Sequence, residues 1–109
     1  MTVSEIAEKL SLSPLTLPCG EREISGAYIG DLLSWVMGRA QSGDAWITIM
    51  SNVNIVAVAS LTDVACIILA EGVTLEDHVR DAAEQKEVNV LCSDQTAYEL
   101  AKALASLIQ

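Results

Sequence analysis

Residues 45–94 read AWITIMSNVNIVAVASLTDVACIILAEGVTLEDHVRDAAEQKEVNVLCSD, and the fold turns on them. Three short apolar runs, Trp46 to Ile49, Val64 to Ala70 and Val88 to Leu91, each end in a small or polar cluster. A helical pattern follows each one. Strands buried on both faces of a parallel sheet lose the in–out alternation, and parallel neighbours need a crossover between them. The stretch therefore predicts a β-α-β-α-β-α core. Its least determined part is Ser51 to Asp63, where Val-Ala-Val-Ala would also suit a strand and turn the central unit into a hairpin. The need for a crossover, with Asn52 or Asn54 available to cap one, favours a short helix.

Outward from this core, Thr74 with Asp77 opens the next helix. Leu75, Val79, Ala82 and Ala83 face inward, and Glu76, Asp77, Asp81 and Glu84 form a solvated acidic side. Ala97, Leu100, Ala101, Leu104 and Ile108 make the inward stripe of a closing helix. Toward the N-terminus, Thr2 and Glu5 have capping-box spacing, ahead of an apolar face of Val3, Ile6, Ala7 and Leu10. Pro14 breaks that helix. Short strands are expected at Leu15 to Leu17 and around Ile24 to Ile29, where Gly26 marks a bulge or the close approach of another backbone or a ligand. Asp31 is the expected N-cap of a helix from Leu32 to Gln41, with Leu33, Val36, Met37 and Ala40 buried and Leu32 and Trp35 widening the stripe. The expectation is a single layered α/β domain over residues 1–109, with a mainly parallel sheet and helices on both faces.

Composition narrows the function. Hydrophobic residues make up 51% of the 109 and charged residues only 19%, so some apolar surface is expected to lie against another chain, with a homodimer favoured. Fifteen acids against six bases give a net charge of -9, which opposes phosphate contacts with nucleic acid and approach to an anionic membrane. Cys19, Cys66 and Cys92 are odd in number and lack Cys-x-x-Cys spacing, so neither a disulfide framework nor a structural zinc site is expected. No signal peptide or bilayer-length apolar run is visible, and a cytoplasmic location is expected.

Catalytic patterns are missing. His78 stands alone in the acidic helix, and the sequence has no P-loop, no G-x-G-x-x-G after a strand and no nucleophile elbow. No metal or cofactor is expected, and an enzyme would have to rely on Cys19, the one thiol outside an apolar run. Ligands of open parallel sheets collect beyond the C-terminal strand ends. Those ends supply Ser51, Asn52, Gly72, Ser93, Asp94 and Thr96 as candidate ligand residues. The same side chains would serve equally as helix caps.

The order of strand, crossover, apolar strand ending in Gly72, acidic helix, strand, polar turn and closing helix resembles the DRTGG domain. That family is related to the N-terminal domain of HPr kinase/phosphorylase and also occurs in long phosphotransacetylases and beside CBS domains. The resemblance runs from about Ile24 to the C-terminus. The family's Asp-Arg falls near Ser51 to Asn54, where this chain has Ser-Asn-Val-Asn, and its Thr-Gly-Gly falls on Ala70-Glu71-Gly72, where only Gly72 is kept. Ser93-Asp94-Gln95-Thr96 is nearer to the family's Thr-containing turn. The resemblance implies a non-catalytic regulatory or assembly module. It also implies, as roles to be tested, an accessory to a redox (hydrogenase-type) or kinase system, or a nucleotide-type sensor.

Overall fold

Two strands, β3 (Asp44–Thr48) and β4 (Cys66–Leu69), are buried at every position, because helices cover both faces of the sheet they centre. The structure is a computed structural model and describes residues 1–108. In chain order, α1 (Val3–Lys9), β1 (Ser13–Thr16), β2 (Gly26–Ile29) and α2 (Leu33–Arg39) lead into β3. Then α3 (Asn54–Thr62), β4, α4 (Asp77–Gln85), β5 (Val90–Cys92) and α5 (Ala97–Ala105) complete the domain. The sheet order is β1-β5-β4-β3-β2. Strands β2 to β5 run parallel, and β1 returns antiparallel beside β5.

From β2 to β5 each crossover steps one place in the same direction, and crossovers of one hand then put their helices on one face. Accordingly α2, α3 and α4 pack with Trp46, Ile67, Leu69 and Val90. On the other face α1 and α5 pack with Ala45, Ile47, Cys66, Ile68 and Leu91. Trp46 is fully buried, and its indole N–H donates to the Gly30 carbonyl at 2.9 Å, so the ring's one polar atom is satisfied. The layered α/β domain read from the sequence is the one observed, and the ambiguous Ser51 to Asp63 stretch is a helical crossover.

Several local expectations fail. Asp31 does not cap α2: Leu32 holds the cap position without a side-chain bond. The Asp31 carboxylate instead accepts from the Thr48 hydroxyl (2.7 Å) and the Ile49 amide (3.0 Å), because β2 ends beside β3 and that strand's free donors compete for it. Thr74 does not cap α4, which starts three residues later behind Glu76. Nor does α2 bury a wide stripe. Of its residues Val36 alone is fully buried, while Leu32, Trp35 and Met37 are exposed, since the helix lies over the edge strand β2 with nothing outside it. Gly26 marks no bulge, and what approaches it is a side chain rather than another backbone. A Cβ there would stand 2.8 Å from the Asp44 carboxylate, and the β2–β3 register is unbroken. The sheet's irregularity lies in β1, between Pro14 and Thr16.

Candidate functional site

The sheet has no reversal of strand order among β2 to β5, so it lacks the crevice that such a reversal opens. The concavity at the C-terminal strand ends is built another way. Strand β1 is antiparallel, so its first residue, Ser13, stands opposite Cys92, the last of β5. This brings the α1–β1 turn alongside the loops that leave β4 and β5. A groove of about 320 Å³ lies between them, walled by Leu10, Ser11 and Ser13 on one side and by Gly72, Thr74, Ser93, Asp94 and Gln95 on the other.

The two loops are stitched together by their backbones. The Glu71 N–H donates to the Gln95 carbonyl (2.8 Å), and the Gly72 N–H to the Ser93 carbonyl (2.9 Å). Glu71 and Gly72 both have left-handed backbone, with φ of 63° and 78°, which is why a glycine follows the strand. A Cβ on Gly72 would also press on the Asp94 carboxylate at 3.2 Å. The Ser93 hydroxyl accepts from the Gln95 N–H at 3.0 Å. These amides are therefore spent within the protein and form no nest for a phosphate.

Of the candidate residues, the structure brings Gly72, Ser93 and Asp94 to this groove. Thr96 instead caps α5 in a reciprocal box: its hydroxyl accepts from the Glu99 N–H (3.1 Å), and Glu99 accepts from the Thr96 N–H (3.0 Å). Asn52 turns back on the chain just before α3, its Oδ1 accepting from the Asn54 N–H at 2.9 Å, while Val53 holds the cap position. Ser51 lies beside it at the end of β3, outside the groove lining. Sequence reasoning missed Leu10, Ser11 and Ser13. Nothing local in those residues says that β1 will return beside β5.

Asp94 is the one charged side chain lining the groove among the described residues, so the groove is polar and mildly acidic. Phosphate groups would meet no lysine or arginine there, whereas ligand hydroxyls would meet a carboxylate and several hydroxyl acceptors. Each of the three thiols has its pKa raised. Burial pushes Cys66 up to about 12. Burial and then Asp94 raise Cys92, and burial followed by Glu87 and Glu21 raises Cys19. Among the described residues no cluster of three or more His, Cys, Asp and Glu side chains is placed to hold a metal ion, and no helix is long and apolar enough to cross a membrane.

Comparison with known proteins places these features in context. No match was found among curated proteins. Among solved structures, the fold is similar to that of the CBS and DRTGG domains of the regulatory region of Clostridium perfringens pyrophosphatase, solved in complex with the activator diadenosine tetraphosphate. The TM-score is 0.72 at 14% identity, over 93% of this chain and 44% of that one. The present chain thus spans less than half of that structure's length. The DRTGG domain model matches residues 22–107, which take in β2 through α5, and the chain belongs to the DRTGG domain family.

Proposed function

We propose that this DRTGG domain is a non-catalytic regulatory module that works through self-association, with a homodimer as the functional unit. The observation that carries the reading is unburied apolar surface on a strongly acidic chain. Leu32 and Trp35 are more than half exposed, and Ile29, Met37, Ile49 and Val53 nearly so. A monomer that leaves this much apolar side chain in water is poorly matched to its solvent. Burial that raises the thiol pKa values favours a role in contacts over one in chemistry. Native mass spectrometry and sedimentation equilibrium of the purified chain test the reading: a dimer is expected at micromolar concentration, and a monomer throughout would refute it.

A second reading rests on the groove beside β5. A small ligand with vicinal hydroxyls, such as the nucleoside end of a nucleotide, suits its carboxylate and serines better than a polyphosphate does. The structural relative's nucleotide activator motivates the test. Adenosine and diadenosine tetraphosphate should both raise the melting temperature, with Asp94→Asn and Ser93→Ala cutting the rise by more than half. No shift with either compound removes this reading. An accessory role beside a redox or kinase system belongs to the same proposal and is tested by identifying what co-purifies with the chain from its native source.

A further inference from the structure

The two edges of the sheet are treated differently by the sequence. An unpaired edge strand is a template for another chain, and proteins usually blunt it with proline, charge, a bulge or a cover. Edge strand β1 has such protection: it carries Pro14, and its pairing is interrupted between Pro14 and Thr16. Edge strand β2, Gly-Ala-Tyr-Ile, has no proline, no charge and no bulge. Its inner neighbour β3 is regular along the whole pairing.

The surroundings of β2 are apolar in the same way. Ile29 ends β2, and Ile49 directly follows β3. Leu32 and Trp35 lie at the start of α2, one helical turn apart, and Val53 precedes α3. Ile29 pairs with Ile47, which faces α1 and α5, whereas Leu32, Trp35 and Val53 belong to the helices and loops of the opposite face; all of these positions lie at or beyond the C-terminal ends of β2 and β3. Arg39 lies over the Trp35 ring at 3.8 Å from its centroid, which holds the exposed indole in one orientation.

Charge selects the occupant. Between Ile24 and Thr62 the chain has only Asp31, Arg39 and Asp44, although it carries fifteen acids in all. Asp44 is buried with its carboxylate accepting from the Gln41 N–H, and Asp31 is engaged by Thr48 and Ile49. A net charge of -8 therefore resides on the rest of the chain, including the outer side of α4. A basic partner would be drawn to those surfaces. Two copies of this chain repel each other least on the surface built from residues 24–62, which includes the β2–α2 corner. A two-fold contact also fits an edge strand, because the axis sets two copies of β2 side by side and antiparallel, the same patch facing itself. A standard interface takes about 800 Å² from each partner, about a seventh of this molecule's 5630 Å².

We infer that a second copy of this chain docks on the β2 edge and the outer face of α2, around a two-fold axis, joining two sheets into one. The inference rests on the self-association reading and adds the surface. Sedimentation equilibrium of wild type, Leu32→Glu, Trp35→Glu and Leu61→Glu tests it. Leu61 is as apolar and 73% exposed, but lies near the opposite end of α3. Leu32→Glu and Trp35→Glu should each weaken the dimer by at least about 30-fold, and Leu61→Glu by less than about 3-fold. Hydrogen exchange at Ala27 to Gly30 should slow as wild-type concentration rises through the dissociation constant, a readout that needs no variant. A dimer that survives both charged substitutions and leaves β2 exchange unchanged overturns this surface while self-association stands. A monomeric wild type overturns both, and leaves the corner to a different partner.

Discussion

Asn89 makes three hydrogen bonds from one buried side chain. It interrupts the run Val88 to Leu91 and is 2% exposed. Its amide donates to the carbonyls of Cys19 (2.8 Å) and Ala65 (2.9 Å), and its Oδ1 accepts from the Cys19 N–H (2.9 Å). It thus clamps the Pro18-Cys19-Gly20 turn to the N-terminal ends of β4 and β5. Asn89→Ala leaves those backbone groups unpartnered in a buried place, and should cost about 3 kcal/mol in urea denaturation. A loss under about 1 kcal/mol would show that the turn is held by something else. The asparagine was visible in the sequence as a polar residue inside an apolar run. Its partners were not, because they lie 24 and 70 residues away along the chain. Asp31 teaches the same lesson. A residue that reads as a cap was diverted to Thr48 and Ile49 by strand pairing that the local sequence does not encode.

At the scale of elements, the helices that begin with a true capping box are α1 and α5, and both boxes end in a glutamate. Hydrogen bonds from Thr2 hold the Glu5 carboxyl below its usual range, and those from Thr96 do the same for Glu99. At the C-terminus of α3 the Asp63 carboxyl is likewise lowered, by hydrogen bonds from Arg22 (2.9 Å) and Ser42 (2.6 Å). Groups whose pKa falls on folding contribute stability above their unfolded pKa and lose it as pH drops through the folded value. The urea midpoint should therefore decline below about pH 4.5. Glu5→Gln with Glu99→Gln keeps an acceptor in each box and removes two of the titrations, so the double variant should lose less between pH 7 and that acid range. Equal losses in the two proteins would place the acid sensitivity elsewhere. The box at Thr2 was legible because its letters are local, whereas Thr74 had the same local credentials and α4 began behind Glu76 instead. Propensity marks where a helix can start. Packing of Leu75 and Val79 against α3 and the sheet decides where it does.

For the whole molecule, net charge and association pull against each other. Two copies at -9 repel, and the contact inferred above is made despite that repulsion. Raising ionic strength from about 0.03 M to about 0.3 M shortens the screening length several-fold and should tighten the dimer. Sedimentation equilibrium at the two salt levels measures it. A dimer that loosens in salt would instead be held by opposite charges, and the contact would then have to lie on a charged face.

The sequence by itself determined the architecture: three apolar runs at crossover spacing, a parallel core between them, and membership of one family. It could do so because burial on both faces writes continuous apolar letters, and because caps and crossovers are local in the chain. Tertiary structure alone decided which strand-end residues share a groove. Gly72, Ser93 and Asp94 meet Ser11 and Ser13 because β1 folds back beside β5, while Asn52 is bonded to the Asn54 N–H and Thr96 caps α5. It also decided that the apolar side of α2 stays uncovered, since a helix over an edge strand has a neighbour on one side only. Hydrophobic pattern counts what must be buried. Which of it this chain buries by itself depends on which strand ends the sheet.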